Sequence, residues 1–554
     1  MFLYVFLSVI FIFSQLFCSQ QQTKFRGFQR VLYVDEESNG LYSAIVKNNE
    51  PSFNYELGLK EGQDQFEFRN LRKETLCHTA VSCQRNEMLK NLAPKVDPDA
   101  QAFDGQTASH YAVFHNNRDA LQTLGKHRAS IEIGDNDGVT PLALAVRLDR
   151  KAIAEGLLRR NANVHAKNKY GHQPLHHARS ATMVRRLLAN GANIDAQGMY
   201  KDTPIAFAVK NSLYDVVKEL LESGALTTYV DERGNRLLHL ARDGRIAQLL
   251  IDAGLDVHAE NKKGDKPLHS AAKLILPGVA SVLMQSGAIP GATNELQQTP
   301  LHGVRSVEVA QTLLARGACV QALDYNNNNV LHSMLLKEKK CYITYWADVG
   351  EFLLNSGLNS TRLNSYMKTV LNLAIHSKFC DMLRLLEESH LDMHKLHFPQ
   401  RVPSLAYAAG ENFIFGVNMF LRLGMPLKDT DFQGRNAFHY AADANSFACL
   451  KMLVSSYAGP DKVSILNLPD ICMKNTPLHY AVIDLNVECV EILLSHGASH
   501  SPVNARGLTP MHYVQGRSDK KAQEIKNILF ERVSSEKVEH ISKKTKLNSP
   551  KRYL

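Results

Sequence analysis

The segment DTPIAFAVKNSLYDVVKELLESGA, residues 202–225, returns as NTPLHYAVIDLNVECVEILLSHGA at residues 475–498. A chain that repeats itself on this scale does not divide into unrelated globular cores. One copy cannot bury its leucines alone, so neighbouring copies must supply the missing surface. An ordinary chain of 554 residues would make three or four domains at roughly 150 residues each. Stacked copies make one elongated domain instead.

Residues 167–196, KNKYGHQPLHHARSATMVRRLLANGANIDA, show what one copy is. A polar residue, most often threonine, stands before the proline. Threonine as N-cap and proline at the first helical position start a helix. The first helix is short and apolar at Leu175 and Ala178. A second helix carries Val184, Leu187 and Leu188 and stops at Gly191, where the chain needs positive φ. The following ANIDAQ is extended and turn-like. Each copy thus reads as helix, turn, helix and a protruding hairpin. In the 202–225 copy, Leu221 is read as core, so Leu221→Ala should cost about 2–5 kcal/mol.

Threonine-proline pairs stand at Thr140-Pro141, Thr203-Pro204, Thr299-Pro300, Thr476-Pro477 and Thr509-Pro510. Two positions after the proline, a histidine recurs, as at His176, His269, His302, His479 and His512. The pattern resembles the ankyrin repeat, T-P-L-H-x-A followed by L-L-x-x-G-A. The resemblance covers about residues 70–533, in about fourteen units, with 41–50 as a degenerate first repeat. It implies an all-α fold, an ankyrin-repeat solenoid of helix-turn-helix units with protruding β-hairpin loops. It also implies that the motif threonine and histidine hydrogen-bond locally and between repeats, each bond contributing about 0.5–1.5 kcal/mol. Ten of the 23 histidines occupy this slot, so a histidine-rich composition here does not signal metal or catalysis.

From His110 the equivalent positions are Ala143, His176, Ala206, His239, His269, His302 and His332, at steps of 33, 33, 30, 33, 30, 33 and 30. The short units each lose three residues between their helices. A 63-residue double repeat therefore lies inside the single one, as duplication of a pair would leave it. The expected organisation is a signal peptide at 1–19, an N-terminal segment with the capping repeat at 20–69, the repeat array at 70–533, and a basic disordered tail at 534–554.

The net charge of +9 is mild for this length, and the tail supplies +4 of it. The body is close to neutral, so nothing there demands nucleic acid. The first 18 residues carry no charged side chain, and their apolar run has signal-peptide length, short of the roughly 20 residues of a membrane span. Secretion follows, with an endoplasmic-reticulum anchor or a cytoplasmic chain as alternatives. No other stretch is long and apolar enough to span a membrane. If the chain is exported, Asn359 in Asn359-Ser360-Thr361 is a glycosylation acceptor. Removing Cys18 leaves eight cysteines; the even number permits disulfides, and buried free thiols are the expectation because several sit at apolar repeat positions.

The sequence holds no nucleophile elbow, no H-E-x-x-H and no phosphate-cradling loop, so no enzyme and no cofactor are expected. CHTAVSC at 77–83 looks metal-like, but His78 is the repeat histidine and the cysteine spacing is not a zinc pair. Residues 337–349 lengthen one inter-helix region and contain Tyr345 and Trp346. They are either a longer helix pair packed inward or a binding hot spot. Aligned on the residue before the turn glycine, consecutive units present Tyr170, Tyr200, Arg233 and Lys263. Two aromatics followed by two cations make a contact strip for a protein partner, since such residues are enriched at interface hot spots. The function expected is a non-enzymatic, secreted protein-binding scaffold. Alternatives are an intracellular or reticulum-anchored adaptor, and a toxin or effector acting on another organism's proteins; about 50 residues between signal and repeats leave no room for the large N-terminal region of latrotoxin-like pore formers.

Overall fold

A computed structural model describes residues 39–58, 66–337, 344–389, 402–456, 459 and 461–547. The expected signal segment, residues 1–19, lies outside them. Among the described residues the chain is helical and contains no strand. It divides into two compact units, Met1–Asn193 and Ile194–Leu554. A stack held by nearest-neighbour contacts has no single core to keep it in one unit.

In the first unit the helices come in pairs. Gly40–Lys47 and Glu50–Gly58 form the first, at the position of the degenerate repeat, and Leu76–Ser82 with Asn86–Leu92 the second. Pro141–Arg147 and Lys151–Leu158 show why each pair forms. Thr140 is extended and its side-chain oxygen accepts the Ala143 N–H, while Pro141 fills the first helical position. The helix ends in one residue of left-handed backbone, Asp149 (φ 52), and the Arg150 N–H closes back on the Ala145 carbonyl at 2.8 Å. The second helix then buries Ile153, Ala154 and Leu157 on one face.

The second unit continues the pattern from Pro204–Lys210 and Tyr214–Glu222 onward. Here Val216, Val217 and Leu220 are buried, but Leu221 is only half-buried. The first leucine of the pair faces the neighbouring helices, and Leu221 one helical step away turns toward solvent. The core expectation for Leu221 therefore passes to Leu220. The same register holds at Leu187 and Leu313, which are buried, and at Leu188 and Leu314, which are not.

The short units lose their residues from the first helix itself. In full-length units that helix has seven residues, as in Pro204–Lys210 and Pro267–Lys273. In the short units it is a single four-residue turn: Pro174–His177, Leu237–Leu240 and Pro300–Gly303. The residue after each turn, Ala178, Ala241 or Val304, is extended (ψ 135, 130 and 142). It leads straight into the N-cap of the next helix at Ser180, Asp243 or Ser306. No left-handed residue is needed there, which is how three positions are saved.

Two regions differ from expectation. Among the described residues the hairpin loops are turns with no β ladder, because an N–H that leaves a loop makes a single bond to the preceding loop rather than one of a run of bonds. At the other end, the helix Lys520–Leu547 runs on through 534–547, where disorder was expected. Its first turns are anchored by Ala522, Ile525 and Leu529, all fully buried. Among the described residues no helix is long and apolar enough to cross a membrane.

Candidate functional site

The motif histidines are structural. His78 accepts the Thr75 N–H on Nδ1 at 3.1 Å, with the Thr75 hydroxyl on the same nitrogen at 2.9 Å. Its Nε2–H then donates to the Gln106 carbonyl of the next loop at 3.1 Å. Both ring nitrogens are thereby used, and burial holds the ring below its ordinary pKa. His110 repeats this with Thr107 and the Val139 carbonyl, and His479 with Thr476 and the Leu508 carbonyl. The metal-like look of CHTAVSC dissolves at this point, since Cys77 is fully buried and its thiol is pushed up to about 12 by burial. Among the described residues no group of histidine, cysteine and acidic side chains could hold a metal ion. Cys77, Cys83, Cys319, Cys380, Cys449, Cys472 and Cys489 are free thiols.

The surface that varies is the row of finger loops. Most loops are built on an Asn or Asp whose carboxamide or carboxylate oxygen accepts two backbone N–H groups, while Ala102 and Gly198 hold that position in two others. Asp135 takes those of Asp137 and Val139, both at 2.9 Å, and Asn168 takes those of Tyr170 and His172 at 3.0 and 2.9 Å. These are Asx turns. The third residue after the Asx has left-handed backbone. It is glycine at Gly138 (φ 74), but Gln297, Asn327 and Met367 (each φ 56) fill the same place elsewhere.

Most of the loops are tied to the one before; among the described residues the Tyr200 and Arg233 loops make no such bond. The N–H of the second residue of the turn donates to a carbonyl at the tip of the preceding loop. In the first unit Phe103 bonds Arg72, Asn136 bonds Asp104 and Lys169 bonds Asp137, at 2.8, 3.0 and 2.8 Å. In the second unit Lys262 bonds Arg233, Glu295 bonds Lys263, Tyr325 bonds Leu296 and Ser365 bonds Asn326, at 3.0, 3.2, 2.9 and 2.8 Å. Side chains at neighbouring tips are thus held at a fixed interval.

Of the expected strip, the structure brings Arg233 and Lys263 together on consecutive, bonded loops, both exposed. Tyr200 is exposed at the tip of its own loop in the second unit. Tyr170 belongs to the first unit. It is exposed, and Lys169, ion-paired with Asp137, stands 5.9 Å from its ring centre. Tyr345 and Trp346 lie in the helix Thr344–Asn355, with their side chains outside the described residues. Asn359 is exposed in a turn, and its side-chain oxygen accepts the Thr361 N–H and hydroxyl at 2.9 and 2.8 Å.

Sequence reasoning missed the residues beside that strip. Leu296, Tyr325, Tyr366 and Met367 are all exposed, on three consecutive loops joined by the backbone bonds just described. Leu71 and Phe103 are exposed on the first two loops of the first unit. Aligning on the glycine hid Tyr366, because it precedes Met367 and no glycine marks that turn. Aligning on the Asn or Asp four residues before the loop closes would have found Tyr325 and Tyr366.

Two family patterns match the chain: "Ankyrin repeats (3 copies)" at residues 77–168 and 157–231, and "Ankyrin repeats (many copies)" at residues 438–494. The repeats are ankyrin repeats. The mouse B-cell lymphoma 3 protein homolog is similar, at 31% identity over 39% of this chain and 51% of that protein. Mouse NF-kappa-B inhibitor zeta is 27% identical over 47% of this chain and 38% of that protein. Human neurogenic locus notch homolog protein 1 is 34% identical over 24% of this chain and 6% of that protein. The chain thus spans about half the length, or less, of these relatives. The solved ankyrin repeat domain of Bcl-3 aligns with 38% of this chain and 97% of its own, at 28% identity and a TM-score of 0.35. Where the ankyrin units of this chain carry the motif histidine they repeat its bond to the cap N–H, as at His78, His110 and His479, while the finger tips vary.

Proposed function

We propose that this chain is a non-enzymatic scaffold that binds one or more proteins along its finger loops. The observation that carries the reading is the backbone bond that ties most of the described loops to the one before them. It fixes exposed side chains of different character at a regular interval, which is what a preorganised contact surface needs. The buried motif histidines His78, His110 and His479 use both ring nitrogens in structural bonds. A relative named as an inhibitor of NF-kappa-B is consistent with ankyrin units acting on another molecule. Photo-crosslinking residues placed at Tyr200, Arg233, Lys263 and Tyr366 should capture a protein partner in cells. The same residues at Lys218 and Glu222, exposed on a second helix, should not. Equal capture from both sets would rule out the finger loops as the contact surface.

We also propose that the chain enters the secretory pathway, on the strength of its uncharged, apolar first 18 residues and its exposed acceptor at Asn359. Expressed in eukaryotic cells, it should be found in the medium beginning near Ser19 or Gln20, with a glycan on Asn359. N-terminal sequencing that finds Met1 on a cytosolic protein ends this reading and leaves the scaffold untouched.

A further inference from the structure

At the start of the first unit, three finger loops enclose an open concavity of about 580 Å³. Arg69, Lys73, Gln101, Phe103, Gly105 and Asn136 are among the residues that line it. The loops lie close because Gly105 has no side chain: at its φ of 79, a Cβ would stand 2.4 Å from the Asn136 nitrogen. Gln101 locks the arrangement by donating to the Gly105 and Gly134 carbonyls at 2.8 and 3.0 Å.

Three cations gather here. Arg69, Arg72 and Lys73 are exposed, and among the described residues none of them has a carboxylate at ion-pair distance. One nitrogen of the Arg69 guanidinium donates to the Lys73 and Gln101 carbonyls, at 3.3 and 3.1 Å. That fixes the arm and leaves its charge unmatched. Glu74, next to Lys73, is committed to Asn70 at 2.7 Å and to the Tyr111 hydroxyl at 2.6 Å, and exposed Glu67 makes no ion pair with these cations among the described residues. Amid these cations stand two large apolar side chains, Phe103 at 73% exposure and Leu71 at 64%. Lys73 Nζ lies 6.0 Å from the Phe103 ring centre.

We propose that this face binds an acidic protein segment that carries one large apolar side chain. The carboxylates meet Arg69, Arg72 and Lys73, and the apolar side chain packs on Phe103 and Leu71. The proposal rests on reading the chain as a protein-binding scaffold. Charge complementarity selects an acidic occupant. The apolar pair selects a polypeptide over a phosphate backbone.

The test uses the full chain and a synthetic peptide of glutamates with one central phenylalanine, followed by fluorescence anisotropy. Binding should weaken about tenfold in Lys73→Glu and by a similar factor in Phe103→Ala, each near 1.4 kcal/mol. It should also weaken when the peptide's phenylalanine becomes alanine, and when salt is raised. Both substituted residues are exposed, so thermal unfolding of the variants should match the parent. Absence of binding, or binding indifferent to both substitutions, overturns the proposal. Tighter binding of a single-stranded oligonucleotide, lost in Lys73→Glu, overturns it in favour of a nucleic-acid surface. Should crosslinks at Tyr200 and Tyr366 capture a partner while the peptide fails to bind, the scaffold stands and this site falls.

Discussion

His110 and His479 lie in different units of the chain, yet each accepts its N-cap N–H at 3.1 Å and reaches the next loop at 2.8 and 3.2 Å. The loops they reach are built alike too. Asp135 accepts two N–H groups at 2.9 Å, and Asn504 accepts two at 3.0 Å. The tips of those loops share nothing, being Asn136 and Asp137 in one and Ala505 and Arg506 in the other. Two regions with one period therefore obey different constraints. At the cap line a side chain must satisfy buried backbone, and only a few types can. At the tip the Asx oxygen and the neighbouring loop have already satisfied the backbone, so the side chain is released to meet something else.

Acid should break the first region and spare the second. Burial holds the rings of His78, His110, His239, His269, His332 and His479 below their ordinary pKa, and lowers His439 to about 4. The unfolded chain binds protons near pH 6.5 that the folded chain refuses. Stability from these groups is whole above about pH 6.5 and is lost as pH falls from there toward the folded values, by up to about 1.4 kcal/mol per pH unit for each histidine. Thermal melts between pH 7.5 and 4.5 should show a steep fall beginning near pH 6.5. A flat profile would mean the rings are not held neutral by the fold.

A single core substitution comes next. Leu220→Ala should cost about 2–5 kcal/mol, while half-buried Leu221→Ala should cost clearly less. Because the array couples neighbours, the Leu220 loss should spread to adjacent units in hydrogen exchange. Loosening confined to one repeat would contradict the stacked arrangement.

The smallest effects belong to the tips. Tyr325→Ser and Tyr366→Ser should each change stability by less than about 0.5 kcal/mol. Met367→Gly sharpens the comparison, because Met367 holds left-handed backbone at φ 56, where a side chain costs about 1–2 kcal/mol and glycine recovers part of that. Denaturant titration should show a gain of up to about 1 kcal/mol. If the same variant weakens partner binding, the strained methionine is held there for contact.

Most of the fold was legible because the repeat tests every inference many times. One T-P-L-H is weak, but the same spacing carried from His110 to His332 leaves little choice of architecture. What the sequence hid were matters of a single register step. Leu220 and Leu221 are chemically identical, and only the helix's facing decides between them. The finger row was read at the glycine, whereas the Asx residue sets the turn, so Arg233 and Lys263 were found and Tyr325 and Tyr366 were not. Leu71, Arg72 and Lys73 escaped for the same reason, since their turn closes at Lys73 (φ 58) without a glycine.

The four-residue first helices at Pro174–His177, Leu237–Leu240 and Pro300–Gly303 alternate with seven-residue ones, and that alternation sets how this chain can be inherited. A long turn and a short turn are different shapes, each fitted to a neighbour of the other kind. Losing or gaining one unit would set like against like. Exchange between gene copies that adds or removes 63 residues, joining Arg236 directly to Pro300 for instance, meets the same neighbours on either side. Lineages of this protein should therefore differ in length by pairs through this stretch, and any that differ by one should carry altered packing residues at the seam.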